Sequence, residues 1–191
     1  MKRVLKTISG QLLLFLTFLT LSTMLWGWLF SVRTNTTPDK KITVYIDCDA
    51  VRDVELAARL EEDLPEGIRM VQVHPFSYAL FDTSAFTGAD LFIVPGSKAE
   101  EYRDSFAAFA VSYTGVLTLE NGAVGIKIYD AAADRGGADA YITYVNASGE
   151  KEDFYLFYGA SSLHFAGNEN AVDNAAAQIA NRLLNLDQGE E

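Results

Sequence analysis

Residues 41–64 read KITVYIDCDAVRDVELAARLEEDL, and this stretch decides the fold class. Residues 42–48 are mostly apolar and rich in β-branched side chains, which is typical of a strand covered on both faces. Residues 51–64 carry leucines at helical spacing, and a proline and a glycine end that pattern. A strand that leads straight into a helix is typical of the start of an α/β sheet.

The polar residues between this strand and this helix are the first candidate site. Open α/β sheets bind ligands at the carboxyl ends of their strands. We therefore expect a ligand-binding site near Asp47, Cys48 and Asp49.

Composition and charge restrict the partners. Four of the 15 basic residues precede the first acidic residue, so the chain after residue 33 has 11 basic and 26 acidic residues, a formal net charge of −15. Like charge opposes the approach of nucleic acid and of anionic lipid, so we expect neither as a partner.

The N-terminal region predicts a membrane anchor. Residues 11–32 contain no charged side chain and are long enough to cross a hydrocarbon core of about 30 Å. Lys2, Arg3 and Lys6 before this run predict that residues 1–10 are cytoplasmic and that the rest of the chain is extracytoplasmic. A cleaved signal peptide is the alternative, but no alanine precedes Ala50 to form its usual cleavage site. The sequence therefore favours an uncleaved signal anchor in the cell membrane, followed by a linker at 33–40.

The rest of the chain predicts one α/β domain over residues 41–186 and a frayed tail at 187–191. Two parallel strand-helix-strand units come first, and antiparallel hairpins follow. We expect a three-layer sandwich with a mixed sheet and helices on both faces. Strands are predicted at 42–48, 68–74, 89–94, 115–120, 123–129, 140–145 and 153–158, a packed loop or short helix at 75–88, and helices at 51–64, from Ser97 onward and at 170–186.

Two local signals support these elements. Ser97 and Glu100 form a capping box, with aromatic residues at helical spacing behind it, so a helix is predicted to begin at Ser97. Asn121-Gly122 predicts a tight hairpin between the strands at 115–120 and 123–129. A longer loop at 146–150 is predicted to join a second hairpin, of 140–145 with 153–158.

Asp47 and Asp49 also suggest an enzyme. Two carboxylates spaced one residue apart after a strand resemble the Asp-x-Asp signature of haloacid-dehalogenase-type phosphatases, which implies a nucleophile at Asp47, a proton-transferring Asp49 and Mg²⁺. The glycine and threonine usual after the second Asp are missing. Lys98 or Lys127 would have to neutralise the phosphate, and Asp130 with Asp134 would have to complete the metal site. The competing interpretation makes Asp49 a helix N-cap and lets Asp53 complement the helix dipole.

The remaining titratable candidates point to structural roles. Cys48 is the only cysteine and cannot form an internal disulfide, so an inert thiol is expected. A zinc set of His74, His164 and Cys48 or Asp49 lacks regular ligand spacing. We therefore expect neither a metal nor a cofactor.

A second resemblance covers residues 41–186. KITVYI at 41–46, VELAARLEEDLPEGIRMVQV at 54–73 and GADLFIVPGS at 88–97 look like the first lobe of type 2 extracellular solute-binding proteins. NGAVGIKIY at 121–129 is similar to the segment that leaves that lobe, and DFYLFYG at 153–159 to the segment that returns. No second lobe fits between residues 130 and 152. The chain thus resembles membrane-anchored bacterial proteins with a single lobe of this type.

The resemblance implies a non-catalytic binding function. Cys48, Asp49, Gly96 and Ser97 are then expected to meet Asp47 in a shallow groove. Backbone N–H groups at Ser97 would favour an anionic group and Asp49 a cationic one, as in a zwitterionic amino acid or short peptide. An envelope protein is the other expected partner, since one lobe cannot enclose a small ligand.

Overall fold

The computed structural model describes residues 2–34, 36–76, 83–109, 115–146 and 148–186. Two compact units form, at 1–37 and 38–191. The predicted positions Tyr78, Leu80 and Phe81 and the tail at 187–191 lie outside the described residues. The helices are α1 (Lys2–Thr34), α2 (Asp53–Glu61), α3 (Ser84–Thr87) and α4 (Ala175–Asn185), with 3-10 turns at Pro38–Lys40, Gly96–Lys98 and Arg103–Ser105.

The first unit contains the predicted apolar helix. Within α1, Leu14–Ser31 is long and apolar enough to cross a membrane. Large side chains such as Phe18 and Trp26 are about 70% exposed, at 72% and 71%. The hydroxyls of Thr20 and Thr23 donate to the carbonyls of Leu16 and Leu19 at 2.8 and 3.0 Å. These two hydroxyls are therefore satisfied within the helix.

The second unit is an α/β domain with a mixed seven-stranded sheet, as predicted. The strands are β1 (Lys41–Ile46), β2 (Ala50–Val51), β3 (Met70–Pro75), β4 (Leu91–Pro95), β5 (Val116–Thr118), β6 (Val124–Asp130), β7 (Arg135–Gly136), β8 (Ile142–Thr143) and β9 (Phe154–Tyr158). The strand order of the large sheet is β3-β1-β4-β9-β6-β5, with β7 beside β6. Strands β1, β3 and β4 are parallel, and all pairs that involve β5, β6, β7 or β9 are antiparallel.

One face of the sheet packs against both long helices of the domain. Leu56 and Leu60 of α2 and Ile179 and Leu183 of α4 are fully buried in the same cluster as Ile42, Val44 and Ile46 of β1. The helix predicted at 51–64 is confirmed, but only over Asp53–Glu61, because Ala50–Val51 form β2. Helix α4 begins at Ala175 rather than at residue 170, and Val172 is exposed.

The other face is covered differently from the prediction. Phe86 of α3 and Tyr102 and Phe106 of the turns after β4 cover Tyr45 and Phe92. Aromatic rings and short turns therefore form the third layer, in which a long helix was expected.

The prediction of a helix that begins at Ser97 is wrong. Residues 96–105 form two 3-10 turns, and Phe106 makes a β-bridge with Gly159. The Glu100 carboxylate accepts the N–H of Glu120 at 3.2 Å, so the capping box does not form. Hydrogen bonds to distant segments replace the local ones that a helix start would make.

The prediction of a second hairpin, of 140–145 with 153–158, is also wrong, although the loop predicted between these segments is closed by a hydrogen bond. The first hairpin is confirmed, since β5 pairs with β6 and Gly122 has a φ of 83°. The Asn146 N–H donates to the Glu150 carbonyl at 2.9 Å and closes the second loop. However, β9 lies between β4 and β6, while β8 pairs with β2 in a separate two-stranded sheet. The apolar strand β9 is more completely buried in the centre of the sheet than a hairpin with β8 would allow.

Candidate functional site

The candidate site lies where β1 and β4 end and β9 begins, here called the carboxyl edge. The Asp47 N–H continues the β1–β4 ladder by donating to the Ile93 carbonyl at 2.8 Å. Pro95 of β4 pairs with Phe154 of β9, which runs the opposite way. The residues after β1 and β4 and those before β9 therefore share one edge of the sheet, as expected for the ends of parallel strands.

Asp47 is held in a partly shielded ion pair. Its carboxylate accepts Lys98 Nζ at 3.1 Å and the Tyr102 hydroxyl at 3.2 Å. The Asp47 and Lys98 side chains are 11% and 21% exposed. Because the structure pairs this carboxylate with a cation from β4's end, its charge is compensated within the domain.

Cys48 and Asp49 make hydrogen bonds to the backbone of Ala50 and of Val145, the latter two residues after β8. The Cys48 thiol donates to the Ala50 carbonyl at 3.2 Å, and burial raises the pKa of this thiol to about 12. Such a thiol carries little thiolate, which supports the expected inert role. The Asp49 N–H donates to the Val145 carbonyl at 2.9 Å, and its side chain is exposed. Helix α2 has Arg52 at its N-cap, so the interpretation of Asp49 as the N-cap is wrong.

Gly96 and Ser97 contact the chain before β9. The Gly96 N–H donates to the Asp153 carbonyl at 2.9 Å, and a Cβ at Gly96 would lie 3.0 Å from the Tyr155 ring. The Ser97 N–H and hydroxyl donate to the Glu152 carboxylate at 3.0 and 2.9 Å. The Asn146 side-chain amide donates to the same carboxylate at 2.6 Å. Glu152 thus takes the place in which the sequence predicts an anionic ligand group.

Of the other phosphatase candidates, Lys98 alone is paired with Asp47. Lys127 pairs with Asp153 at 2.6 Å and with Asp130 at 3.6 Å. Asp134 pairs with Lys151 at 2.7 Å. Within the described ranges, no set of three His, Cys, Asp or Glu side chains is arranged to hold a metal ion.

The contacts of the two histidines involve neither Cys48 nor Asp49. The His74 ring contacts Tyr45 with the rings tilted by 33° and their centroids 5.3 Å apart. His164 is fully buried, with Nδ1 2.9 Å from Asp173 and Nε2 3.0 Å from the Pro38 carbonyl. The structure does not bring the four residues of the zinc hypothesis into one set.

Sequence reasoning missed a buried polar network around His164. Asp90 accepts the Thr43 N–H at 2.8 Å and the Ser162 hydroxyl at 2.6 Å. The Ser162 Oγ in turn accepts the His164 N–H at 3.1 Å. Ser, His and Asp are present, but the ring Nε2 of His164 is bonded to the Pro38 carbonyl and Ser162 donates to Asp90. The arrangement therefore does not activate Ser162 as a nucleophile. An aspartate in the apolar run before β4 was the one sequence signal of this network.

Comparison of this chain with protein-family models, with curated proteins and with solved structures finds no match.

Proposed function

We propose that this chain is a membrane-anchored, extracytoplasmic binding domain that uses the carboxyl edge as its working surface. The apolar helix α1 supports the anchor, and the basic residues at its N-terminal end support an external domain. The main support for the proposal is that charged and polar side chains next to the ends of β1, β4 and β9 contact one another at one edge of the sheet: Asp47 pairs with Lys98, and Ser97 with Glu152. The resemblance to one lobe of a solute-binding protein points to the same edge.

The ligand chemistry that suits this edge is zwitterionic. Ser97 supplies two donors for a carboxylate, and the exposed Asp49 supplies a carboxylate for an ammonium group. A ligand carboxylate must displace Glu152 from Ser97, because Glu152 accepts both donors. This competition and the single wall lead us to expect a dissociation constant no tighter than about millimolar.

A titration of the full-length chain in detergent micelles with the dipeptide alanyl-alanine tests this proposal by amide NMR. Wild type should show saturable shifts near Ser97, and Ser97→Ala should weaken them. Glu152→Gln should strengthen binding about fivefold, because a neutral amide competes less well than a carboxylate for the Ser97 donors. Val172→Thr, at a position 61% exposed beside Leu163, is the matched control. Equal shifts in wild type and Ser97→Ala would contradict the assignment.

A partner protein that supplies a second wall is the other form of this function. A photo-cross-linking residue at position 97 of the chain in native membranes should capture it, and one at position 172 should not. Capture from both positions would show non-specific contact and would contradict a defined surface.

Magnesium-dependent phosphoryl transfer is the second candidate, favoured by the approach of Lys98 to Asp47 at 3.1 Å. The pairing of Lys127, Asp130 and Asp134 with other side chains weighs against it. Hydrolysis of p-nitrophenyl phosphate that requires both Mg²⁺ and Asp47, lost in Asp47→Asn, would replace the binding proposal.

A further inference from the structure

A concave region lies on the face of the sheet that also carries the aromatic layer of Phe86, Tyr102 and Phe106. It is a cavity of about 280 Å³, lined by side chains of β1 and β3 and by Pro38, Gly88, Asp90 and Leu163. The strand residues are Lys41, Thr43, Tyr45, Gln72 and His74. This volume is close to the lower end of those that hold small ligands, about 300 Å³.

The wall of this cavity is polar where it follows β1, a central strand, and β3, the edge strand of the sheet. The other side of β1 is fully apolar, with Ile42, Val44 and Ile46 completely buried. A strand buried in this way is normally apolar on both faces. On its second face, Tyr45 packs with Phe86 and Phe92, while Lys41 and Thr43 line the cavity.

Several polar groups of the cavity are open to solvent, so a ligand can replace water at them; among the described residues no buried side-chain polar atom lacks a partner. In the described part of the chain, no hydrogen bond is found for Lys41 Nζ, the Thr43 hydroxyl or the His74 ring. Burial, and then the charge of Lys41, lower the pKa of His74, so its ring is neutral near pH 7 and can both donate and accept. Asp90 is different, because its carboxylate already accepts the Thr43 N–H and the Ser162 hydroxyl.

The local charge favours an anion although the domain as a whole is acidic. Lys41 starts β1, Lys40 comes directly before it, and Arg69 precedes β3 and donates its N–H to the Lys40 carbonyl at 2.8 Å. Of these cations, Lys41 lines the cavity, so an anion there gains local attraction while acidic residues beyond about 10 Å are screened. Asp90 also lines the cavity, but its carboxylate is engaged by the Thr43 N–H and the Ser162 hydroxyl.

We propose that this cavity binds a small oxyanion that also carries hydroxyl groups. Lys41 contacts the oxyanion, and the neutral side chains of Gln72 and His74 contact the hydroxyls. A soluble phosphate ester and the headgroup of a phospholipid share this chemistry. The site is separate from the carboxyl edge and does not depend on its function.

The histidines provide a direct test. The chain contains two histidines, so a histidine-labelled full-length sample in phosphatidylcholine nanodiscs gives one imidazole signal from the cavity and one from the buried network. The probes are inorganic phosphate and glycerol 1-phosphate, and a third sample replaces part of the lipid by phosphatidylglycerol. The His74 signal should shift saturably with glycerol 1-phosphate, while the His164 signal stays fixed and reports on the fold.

Adjacent lysines give a matched pair of variants. Lys41→Met should weaken binding about tenfold or more, because a charge-assisted hydrogen bond is lost. Lys40→Met removes the same charge one residue away, outside the cavity, and should bind like wild type. Lys41→Arg keeps the cation and should retain binding. If Lys41→Met disturbs the His164 signal, Gln72→Ala takes its place and should weaken binding several-fold.

The lipid sample identifies the source of the ligand. A shift of His74 with phosphatidylglycerol alone would assign the site to a headgroup, and a shift with glycerol 1-phosphate would assign it to a soluble ester. Absence of a saturable His74 shift with every probe, or equal affinity of Lys41→Met and Lys40→Met, would overturn the proposal.

Discussion

His164 is the residue whose protonation matters most for the stability of the domain. Its two ring nitrogens face acceptors, the Asp173 carboxylate and the Pro38 carbonyl, so both must carry a proton to donate. Burial acts to lower the pKa of His164. The hydrogen bonds to Pro38 and Asp173 and the charges of Asp90 and Asp173 outweigh burial and hold this pKa above its ordinary value.

This raised pKa predicts a pH dependence of unfolding. The folded state binds the proton more tightly than the unfolded chain. The resulting stability is therefore complete below the unfolded pKa of about 6.5 and is lost as pH rises through the folded pKa. Thermal unfolding of the full chain, followed by circular dichroism from pH 6 to 9, should show a falling midpoint in wild type. His164→Gln should be less stable and should lose this pH dependence.

The other histidine is the control. The pKa of His74 is lowered, mainly by burial, so its contribution to stability has the opposite sign and is lost as pH falls below its unfolded pKa of about 6.5. Above about pH 7.5, His74→Gln should therefore keep the wild-type slope. An unchanged slope in His164→Gln would show that another group titrates.

At the scale of the element, one side chain joins the two long helices of the domain. Arg182 of α4 donates to the carbonyls of Leu60 and Asp63 and, at 3.2 Å, to that of Arg59. These carbonyls belong to the last turn of α2 and the residues after it, where helix carbonyls lack partners within the helix. A guanidinium satisfies several of them at once and also complements the negative end of the helix dipole.

Removal of this side chain should therefore destabilise the domain. We expect Arg182→Ala to lower the free energy of unfolding by about 2 kcal/mol, because carbonyls that accept charged donors are left without them. Urea unfolding of the full chain measures this change. Arg59→Ala is the matched control, since the Arg59 side chain pairs with Glu62 at the surface and should cost less than about 0.5 kcal/mol. Similar losses in the two variants would contradict the role of Arg182.

A glycine decides how closely β6 and β9 pack with the aromatic layer. Phe157 of β9 stacks on Phe106 with ring centroids 4.2 Å apart, and a Cβ at Gly125 of β6 would overlap the Phe157 ring. Gly125→Ala should therefore lower the free energy of unfolding by about 1–3 kcal/mol through overpacking. Gly149→Ala tests whether any added methyl has this effect. Gly149 has open space, although its φ of 80° adds some strain, so it should cost only about 1 kcal/mol. A smaller loss at Gly125 than at Gly149 would contradict this interpretation.

At the scale of the whole molecule, anchoring separates the signal-anchor and cleaved-signal hypotheses. The full chain should stay in the membrane fraction after high-salt and alkaline washing, and protease outside intact cells should degrade residues 34–191. A soluble form that starts near residues 30–33 would show a cleaved signal instead. Leu19→Arg should reduce insertion by about 3 kcal/mol, because a charge near the centre of the span is costly. Val54→Arg, at a domain position 76% exposed, is the control and should leave anchoring unchanged.

The sequence by itself determined the fold class and most element positions. Strand β1, helix α2, strand β4 and the Asn121-Gly122 hairpin follow from local periodicity and turn chemistry. These features depend on residues a few positions apart. The sequence also places Asp47, Ser97 and Lys98 at strand ends, since parallel strands finish at one edge.

Only the tertiary structure decided the partners of these side chains. Ser97 bonds to Glu152, which is 55 residues away, and so does not start a helix. Strand β9 lies between β4 and β6 because its apolar side chains are best buried there, while β8 pairs with β2. The same holds for the His164 network and for the cavity at Lys41, which are built from segments far apart in the chain. Local sequence patterns reflect interactions between residues that are close in the chain. Hydrogen bonds between distant segments depend instead on which surfaces the packed core brings into contact.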